Sequence, residues 1–189
     1  MEIDMTTNSP GYNRGDSISI AALKHPDGTK IDRTILEIVH RLRQQGYRLA
    51  GAVRANITPP DENRCDLFLE DLSTSTVLPI SQDLGTGSHA CRLDDAALDA
   101  IAVKVEASLL DGVDILILNK FGKQEAEGRG LRSPIVNAVK RGIPVLVGLN
   151  SGRVQSWNEF CGATGEIFDP DDTAVDRWLE ANLPSEPRS

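Results

Sequence analysis

Two short, almost entirely apolar runs constrain the fold of this chain more than any other feature. Val113 to Leu118 and Ile143 to Leu149 have the length of a strand and are too short for a buried helix. A strand that is apolar on every side must be covered on both faces, as the central strands of a parallel sheet are. We therefore expect a sheet with helices on both of its faces.

The rest of the chain supplies elements that alternate between strand and helix. Apolar residues recur at helical spacing from Ile31 to Leu42 and stop before Gly46, between predicted strands at Ser17–Leu23 and Tyr47–Val53. Such alternation predicts a three-layer α/β fold with a mostly parallel sheet and right-handed crossovers. The further predicted elements are a helix capped by Asp94 that carries Leu98 to Leu109, helices at Leu131–Arg141, Gln155–Phe160 and Thr173–Leu183, and a strand at Glu166–Phe168.

One region departs from this alternation. Two short runs, Asp66–Leu69 and Val77–Ile80, flank the polar stretch Ser73-Thr74-Ser75, which is typical of a hairpin. We expect a small β-hairpin insertion at the edge of the sheet. Residues 17–183 then form a single α/β domain, between a mobile leader (1–16) and a mobile tail (184–189) that are both poor in apolar residues.

Charge, hydropathy and cysteine spacing exclude several classes of protein. A net charge of −8 disfavours binding to nucleic acid, because phosphates would be repelled. No apolar run approaches the roughly 20 residues that a membrane-spanning helix needs. Residues 1–15 lack a basic region followed by an apolar one, so we expect no secretory signal. Cys65, Cys91 and Cys161 form no CxxC pair and suggest no metal site, so free thiols in the cytoplasm are expected and their roles stay open.

The segment from Asn119 to Arg132 is the most unusual part of the sequence. It follows a predicted buried strand and contains Gly122, Gly128 and Gly130, which a solvated helix would not. We interpret it as a tight loop at the carboxyl edge of the sheet, where open α/β sheets bind ligands. Its lysines and arginines would bind a small anion, and Glu125 is the candidate catalytic residue, as a general base or water-holding group. A salt-bridged surface loop or subunit contact is the alternative.

Two other segments are expected at the same edge. Gly28, Thr29 and Lys30 open the first helix, where free amides favour an anion, but the spacing lacks the glycines of a Walker loop and predicts a degenerate phosphate loop. Arg92 follows the glycine-rich stretch 85–88 and adds positive charge. The candidate ligand-binding residues are Gly28, Thr29, Lys30, Arg92, Asn119, Lys120, Lys123, Glu127, Arg129 and Arg132, and no metal ligands are predicted.

Five stretches are distinctive in this sequence: Ser81–Gly85, Cys91–Asp94, Asn119–Arg132, Gly142–Leu146 and Trp157–Gly162. Together they resemble a bacterial family of uncharacterised proteins encoded near molybdate ABC transporter genes. The resemblance implies a link to molybdenum uptake or use, and a distant similarity to small P-loop nucleoside-triphosphatases. In those enzymes a strand-end motif resembles Asp-Glu-Ile-Gly-x-Met-Glu, whose acidic residues serve magnesium and water. Here Asn119 and Lys120 replace the leading acidic pair, while Gly122 and Glu125 match.

Three functions follow from these observations. The first is an NTPase-like protein of molybdenum uptake or metabolism that binds a nucleoside triphosphate with magnesium, or molybdate, with a regulatory role as one option. The second is a weak magnesium-dependent nucleoside-triphosphatase in which Glu125 orients water. The third is an interaction module without a small ligand, whose charged loop contacts a second copy of the chain or molybdate-transport components.

Overall fold

A computed structural model of the protein describes residues 18–55, 67–82 and 92–187, without the side chains of Gln82 and Arg92. The predicted leader, the glycine-rich stretch 85–88, Cys65 and Cys91 therefore lie outside the described residues. The predicted anion-binding role of Arg92 depends on a side chain that is also outside them.

The described strands form one seven-stranded sheet and one small two-stranded sheet. The large sheet has the order β4-β3-β2-β7-β8-β1-β9, and β5 pairs with β6 in the small one. Neighbours among β2, β7, β8, β1 and β9 pair in parallel, while β3 and β4 form an antiparallel hairpin beside β2. The predicted mostly parallel sheet and its edge hairpin are confirmed. The strands are β1 (Ile20–His25), β2 (Leu49–Arg54), β3 (Phe68–Asp71), β4 (Thr76–Pro79), β5 (Ser81–Gln82), β6 (Arg92–Leu93), β7 (Ile115–Phe121), β8 (Val145–Asn150) and β9 (Gly165–Phe168).

Helices cover both faces of the large sheet, which confirms the predicted three layers. Helices α1 and α6 bury their apolar residues in one core cluster, and α2, α4 and α5 bury theirs in a second cluster. The helices are α1 (Gly28–Gln44), α2 (Asp95–Ser108), α3 (Lys123–Ala126), α4 (Arg132–Lys140), α5 (Val154–Cys161) and α6 (Ala174–Asn182).

Helix α1 forms because its sequence combines a cap with one apolar face. The carboxylate of Asp27 accepts a 2.9 Å hydrogen bond from the amide of Thr29 and so satisfies one of the unpaired amides of the first turn. The buried face consists of the predicted residues Ile31, Ile35, Ile38, Val39 and Leu42. Only two residues, Pro26 and Asp27, separate the end of β1 from the start of α1.

The predicted cap of α2 is also present. The carboxylate of Asp94 accepts hydrogen bonds from the amides of Ala96 (3.0 Å) and Ala97 (3.1 Å).

In the described part of the chain, no helix is long and apolar enough to cross a bilayer.

The core beneath the carboxyl edge of the sheet is aromatic. Phe121, at the end of β7, meets Trp157 edge to face at a centroid distance of 5.3 Å, and Phe160 lies equally close to Phe121. All three rings are buried. They give the segment that follows β7 a rigid base, because aromatic packing in a dense core leaves little room for movement.

Candidate functional site

The connection between β1 and α1 is too short to form a phosphate loop. Strand β1 ends at His25 and α1 begins at Gly28, so only Pro26 and Asp27 lie between them. A connection of this length cannot wrap its amides around two phosphates. The prediction of a degenerate phosphate loop thus takes a specific form, which is a two-residue turn capped by its own aspartate.

A lysine from β7 lies where this turn enters α1. A Cβ atom built on Gly28 would stand 2.7 Å from the Nζ atom of Lys120, so glycine at this position allows the ammonium group to approach the helix terminus. Strand β8 is paired between β1 and β7, so the side chain of Lys120 reaches across the end of β8 to the start of α1. Of the predicted ligand-binding residues, Gly28, Asn119 and Lys120 are brought together here.

Asp32 in α1 holds both polar residues of β7. The amide of Asn119 donates a 2.7 Å hydrogen bond to Asp32 Oδ1, and the Nζ atom of Lys120 lies 3.5 Å from the same oxygen. Sequence analysis missed Asp32, because a carboxylate in the second turn of an amphipathic helix looks like part of a solvated face. Its partners are 87 and 88 residues away (119 − 32 and 120 − 32), so no local spacing could have revealed it.

Asn119 is enclosed between α1 and β8. It is 6% exposed, and within the described residues its Oδ1 atom has no hydrogen-bond partner. A Cβ atom on Gly148 would stand 2.9 Å from that oxygen and 2.6 Å from Ile31 Cγ2. Glycine at position 148 is therefore needed to seat the amide in this position.

The electrostatics of this corner favour an anion. The N-terminus of α1 carries the positive end of the helix dipole, and Lys120 adds an ammonium group to it, partly offset by Asp32. Asp27 bonds the amides of Thr29 and Ile31, whereas the amides of Gly28 and Lys30 have no partner among the described residues. Two amide donors and an ammonium group thus lie close together.

Lys30 points to a different partner from the one expected of a phosphate lysine. Its ammonium group forms a short ion pair with Asp171, in the segment after β9. This hydrogen bond from Lys30 holds the pKa of Asp171 below its ordinary value. Lys30 therefore ties α1 to the segment that precedes α6.

Glu125 and Arg132 fold the segment after β7 onto itself. Both oxygens of the buried Glu125 carboxylate accept backbone hydrogen bonds, at 2.9 Å from the amide of Gly122 and 3.0 Å from that of Leu131. Arg132 donates a 3.0 Å hydrogen bond to the carbonyl of Glu125 and stacks its guanidinium 4.4 Å from the ring centroid of Phe160. In this geometry both side chains hold the loop in shape.

Lys123, Glu127 and Arg129 form a separate, exposed network. Arg129 donates a 2.6 Å hydrogen bond to Glu127, which lowers the pKa of that carboxyl, and Lys123 lies 3.6 Å from Glu127. Arg129 also lies 3.8 Å from Asp95 at the start of α2. The charged segment of the sequence thus divides into three groups, and only Asn119 and Lys120 face the N-terminus of α1.

An acidic cleft lies beside this corner. Its volume is about 310 Å³, and it lies between α1 and the segment from Pro170 to Asp176. Four carboxylates, from Glu37, Asp171, Asp172 and Asp176, line it against one arginine, Arg41. Such a lining disfavours an anion, in contrast to the ammonium group and the amide donors around Lys120. The described residues hold no group of three or more His, Cys, Asp or Glu side chains that could bind a metal ion.

The chain is similar in sequence to a known protein and matches a family model. The chain is 33% identical over 165 residues to "Molybdenum import ATP-binding protein ModC 2" of Bradyrhizobium diazoefficiens. This match covers 86% of the chain but only 18% of that protein. No solved structure matches the chain.

The mostly parallel sheet with helices on both faces is consistent with a P-loop-NTPase-like fold. A family model described as "Protein of unknown function (DUF2478)" matches residues 20–178, which is most of the chain. The chain therefore belongs to the DUF2478 family.

Proposed function

We propose that this protein is an NTPase-like binding protein that takes a nucleotide or a small oxyanion and serves molybdenum uptake or metabolism. The observation that carries the proposal is the ammonium group of Lys120 beside Gly28 at the N-terminus of α1. Helix N-termini bind anions through their free amides and their dipole, and a lysine at the same place adds a full positive charge.

The short connection after β1 restricts the class of ligand that can bind. A turn of two residues presents few amides, so it suits one tetrahedral group better than a chain of phosphates. Molybdate is such a group, and so is the terminal phosphate of a nucleotide. We propose that the protein contacts its ligand through a single tetrahedral oxyanion.

The similar protein from Bradyrhizobium diazoefficiens also supports a role in molybdenum metabolism. Its name joins molybdenum import to ATP binding, but the chain spans only 18% of its length. The activity of the whole relative therefore does not transfer to this chain. What supports a role in molybdenum metabolism here is the name together with the match over 86% of the chain.

Lys120 also bears on the need for a metal ion. The Oδ1 atom of Asp32 already accepts a hydrogen bond from Asn119 and lies 3.5 Å from Lys120 Nζ, so this oxygen is not free to bind a magnesium ion. We propose that Lys120 supplies the positive charge that magnesium supplies to phosphates elsewhere, and that binding does not require magnesium.

Catalysis is not favoured by the contacts of Glu125. Both of its carboxylate oxygens already accept backbone hydrogen bonds, and its side chain is 4% exposed. We propose that Glu125 is a positioning residue that shapes the loop. Regulation by bound ligand then fits the protein better than hydrolysis does.

Isothermal titration calorimetry tests the proposal with ATP, molybdate and inorganic phosphate, each in magnesium and in excess EDTA. We expect saturable binding of at least one probe, with equal affinity in both buffers. Lys120→Ala should weaken it about tenfold or more, because a charge-assisted contact contributes about 1.5–3 kcal/mol.

Lys123→Ala is the matched control for this experiment. It removes the same charge from the same segment, but its side chain is 71% exposed and pairs with Glu127. An equal loss of affinity in both variants would indicate that the anion binds at the exposed network of Lys123, Glu127 and Arg129 instead. Binding of none of the probes at millimolar concentration would overturn the proposed function.

A further inference from the structure

Helix α2 is apolar on two faces, although only one of them contacts the core. Leu98, Ile101, Ala102 and Val105 are buried against the sheet. The other face consists of exposed Ala96, Ala100, Val103 and Ala107, continued by Leu110 in the turn that ends the helix. Val103 and Leu110 are each 67% exposed. A helix that packs on one side only would carry polar residues here.

The exposed apolar residues follow the spacing of a coiled coil. Ala96, Ala100, Val103, Ala107 and Leu110 succeed one another at intervals of four, three, four and three residues. Apolar residues at this interval form the seam along which one helix packs against another. We call these five residues the α2 seam.

We propose that the α2 seam docks a second copy of this chain, with the two α2 helices parallel about a twofold axis. Small alanines let two helices approach closely, and Val103 of one copy would face Val103 of the other. A twofold contact uses the same patch on both copies, so one seam is sufficient to form the dimer.

The charges beside the seam select the parallel arrangement. Asp99 and Lys104 are exposed on opposite flanks of the seam, and neither has an ion-pair partner among the described residues. They are five residues apart, which is the offset at which the flanking residues of parallel helices meet. Asp99 of each copy then faces Lys104 of the other. The same offset relates Glu106 to Asp111, but Asp111 lies beyond the end of α2, and Glu106 is held by hydrogen bonds from Ser133 and Asn137. In an antiparallel pair, Asp99 would instead face Glu106 or a second Asp99, and like charges repel.

The small size of the contact is typical of a weak, reversible interface. A helix of 14 residues is about 21 Å long, so one helix pair buries less than the ~1,600 Å² of a standard interface. We therefore expect a reversible dimer in the micromolar range. The fraction of protein in the dimer should rise with protein concentration.

Sedimentation velocity across low to high micromolar concentration tests the dimer, with full-length protein and no added ligand. Wild type should shift from monomer to dimer, and Val103→Glu should stay monomeric. Val77→Glu is the matched control, because Val77 is an exposed valine on the edge strand β4, away from α2. A monomer at every concentration would overturn the proposal, and so would a dimer that Val77→Glu abolishes and Val103→Glu leaves intact.

A charge exchange tests the parallel arrangement. Asp99→Lys should weaken the dimer about tenfold, because two opposite-charge pairs become like-charge pairs. The double variant Asp99→Lys with Lys104→Asp should restore it, because each pair is re-formed in reverse. Failure of the double variant to recover would exclude the parallel pairing.

Covalent trapping gives an independent measure of the same geometry. Val103→Cys should form a disulfide-linked dimer on mild oxidation, with wild type and its own cysteines as the blank. Absence of this product in the concentration range where wild type is dimeric would contradict a twofold axis at Val103.

Discussion

A single oxygen, Asp32 Oδ1, accepts a 2.7 Å hydrogen bond from Asn119 and lies 3.5 Å from Nζ of the next residue, Lys120. It thereby attaches the end of β7 to the second turn of α1. The contact determines where the ammonium group of Lys120 lies, since a free lysine side chain would otherwise sample many rotamers. The anion site proposed above therefore depends on three residues from two elements.

Gly28→Ala should weaken anion binding several-fold while leaving the fold intact. The added Cβ would stand 2.7 Å from Lys120 Nζ and displace this flexible ammonium group. Alanine also favours a helix more than glycine does, so unfolding should not become easier. Calorimetry and thermal unfolding measure the two effects. In a Lys120→Ala background, the glycine replacement should have no further effect on binding, and an additive loss would contradict the explanation.

Glu125→Ala should destabilise the protein by about 2–4 kcal/mol, because it removes the acceptors of the half-buried Gly122 amide and the buried Leu131 amide. Glu125→Gln keeps one oxygen and should cost less. Urea unfolding measures both. Glu127→Ala is the control, and its effect should be small because Glu127 is exposed. If the protein shows phosphate release that Glu125→Gln abolishes without loss of stability, Glu125 is catalytic after all.

Gly51→Ala should prevent stable folding or cost more than about 4 kcal/mol. Gly51 lies in β2 at φ +130°, and a Cβ there would be 1.8 Å from the carbonyl oxygen of Ile117 in the neighbouring strand β7. Gly142→Ala provides the comparison, since Gly142 also has positive φ (+66°) but nothing within 4 Å of the added atom. It should cost only about 1–2 kcal/mol. Equal costs would show that the sheet can move aside.

Cys161 should resist alkylation in the folded protein. Burial raises the pKa of its thiol from 9.0 to about 12, so almost no thiolate is present at pH 8. Site-resolved mass spectrometry after iodoacetamide should find Cys161 modified only under unfolding conditions. The unfolded thiol loses its proton near pH 9 while the folded one keeps it. The free energy of unfolding should therefore fall as pH rises above 9, and rapid native labelling would contradict this.

Periodicity was sufficient to predict most of the fold. The apolar spacing of α1, the all-apolar β7 and β8, and the cap at Asp94 are local signals, and each element appears within a few residues of its expected position. The short helix α3 was not predicted, because four residues between glycines show no period. Its shape depends on Glu125 bonding to Leu131, which local propensity does not encode.

The candidate site was predictable only in part. The expectation that Gly28, Asn119 and Lys120 lie at one edge followed from their place at the carboxyl ends of predicted parallel strands, and in the structure Lys120 Nζ lies beside Gly28. The partners of Asp32, Lys30 and Arg132 were not predictable. They depend on three-dimensional contacts between segments distant in sequence, such as Lys30 with Asp171.

The position of Lys120 has a consequence for what the site could report in a cell. A magnesium ion is present at whatever concentration the surroundings allow, whereas a side chain carries its charge at a fixed effective concentration. A site whose positive charge belongs to the polypeptide would respond to the concentration of its anion alone. Its occupancy would stay the same when the concentration of divalent cations rises or falls.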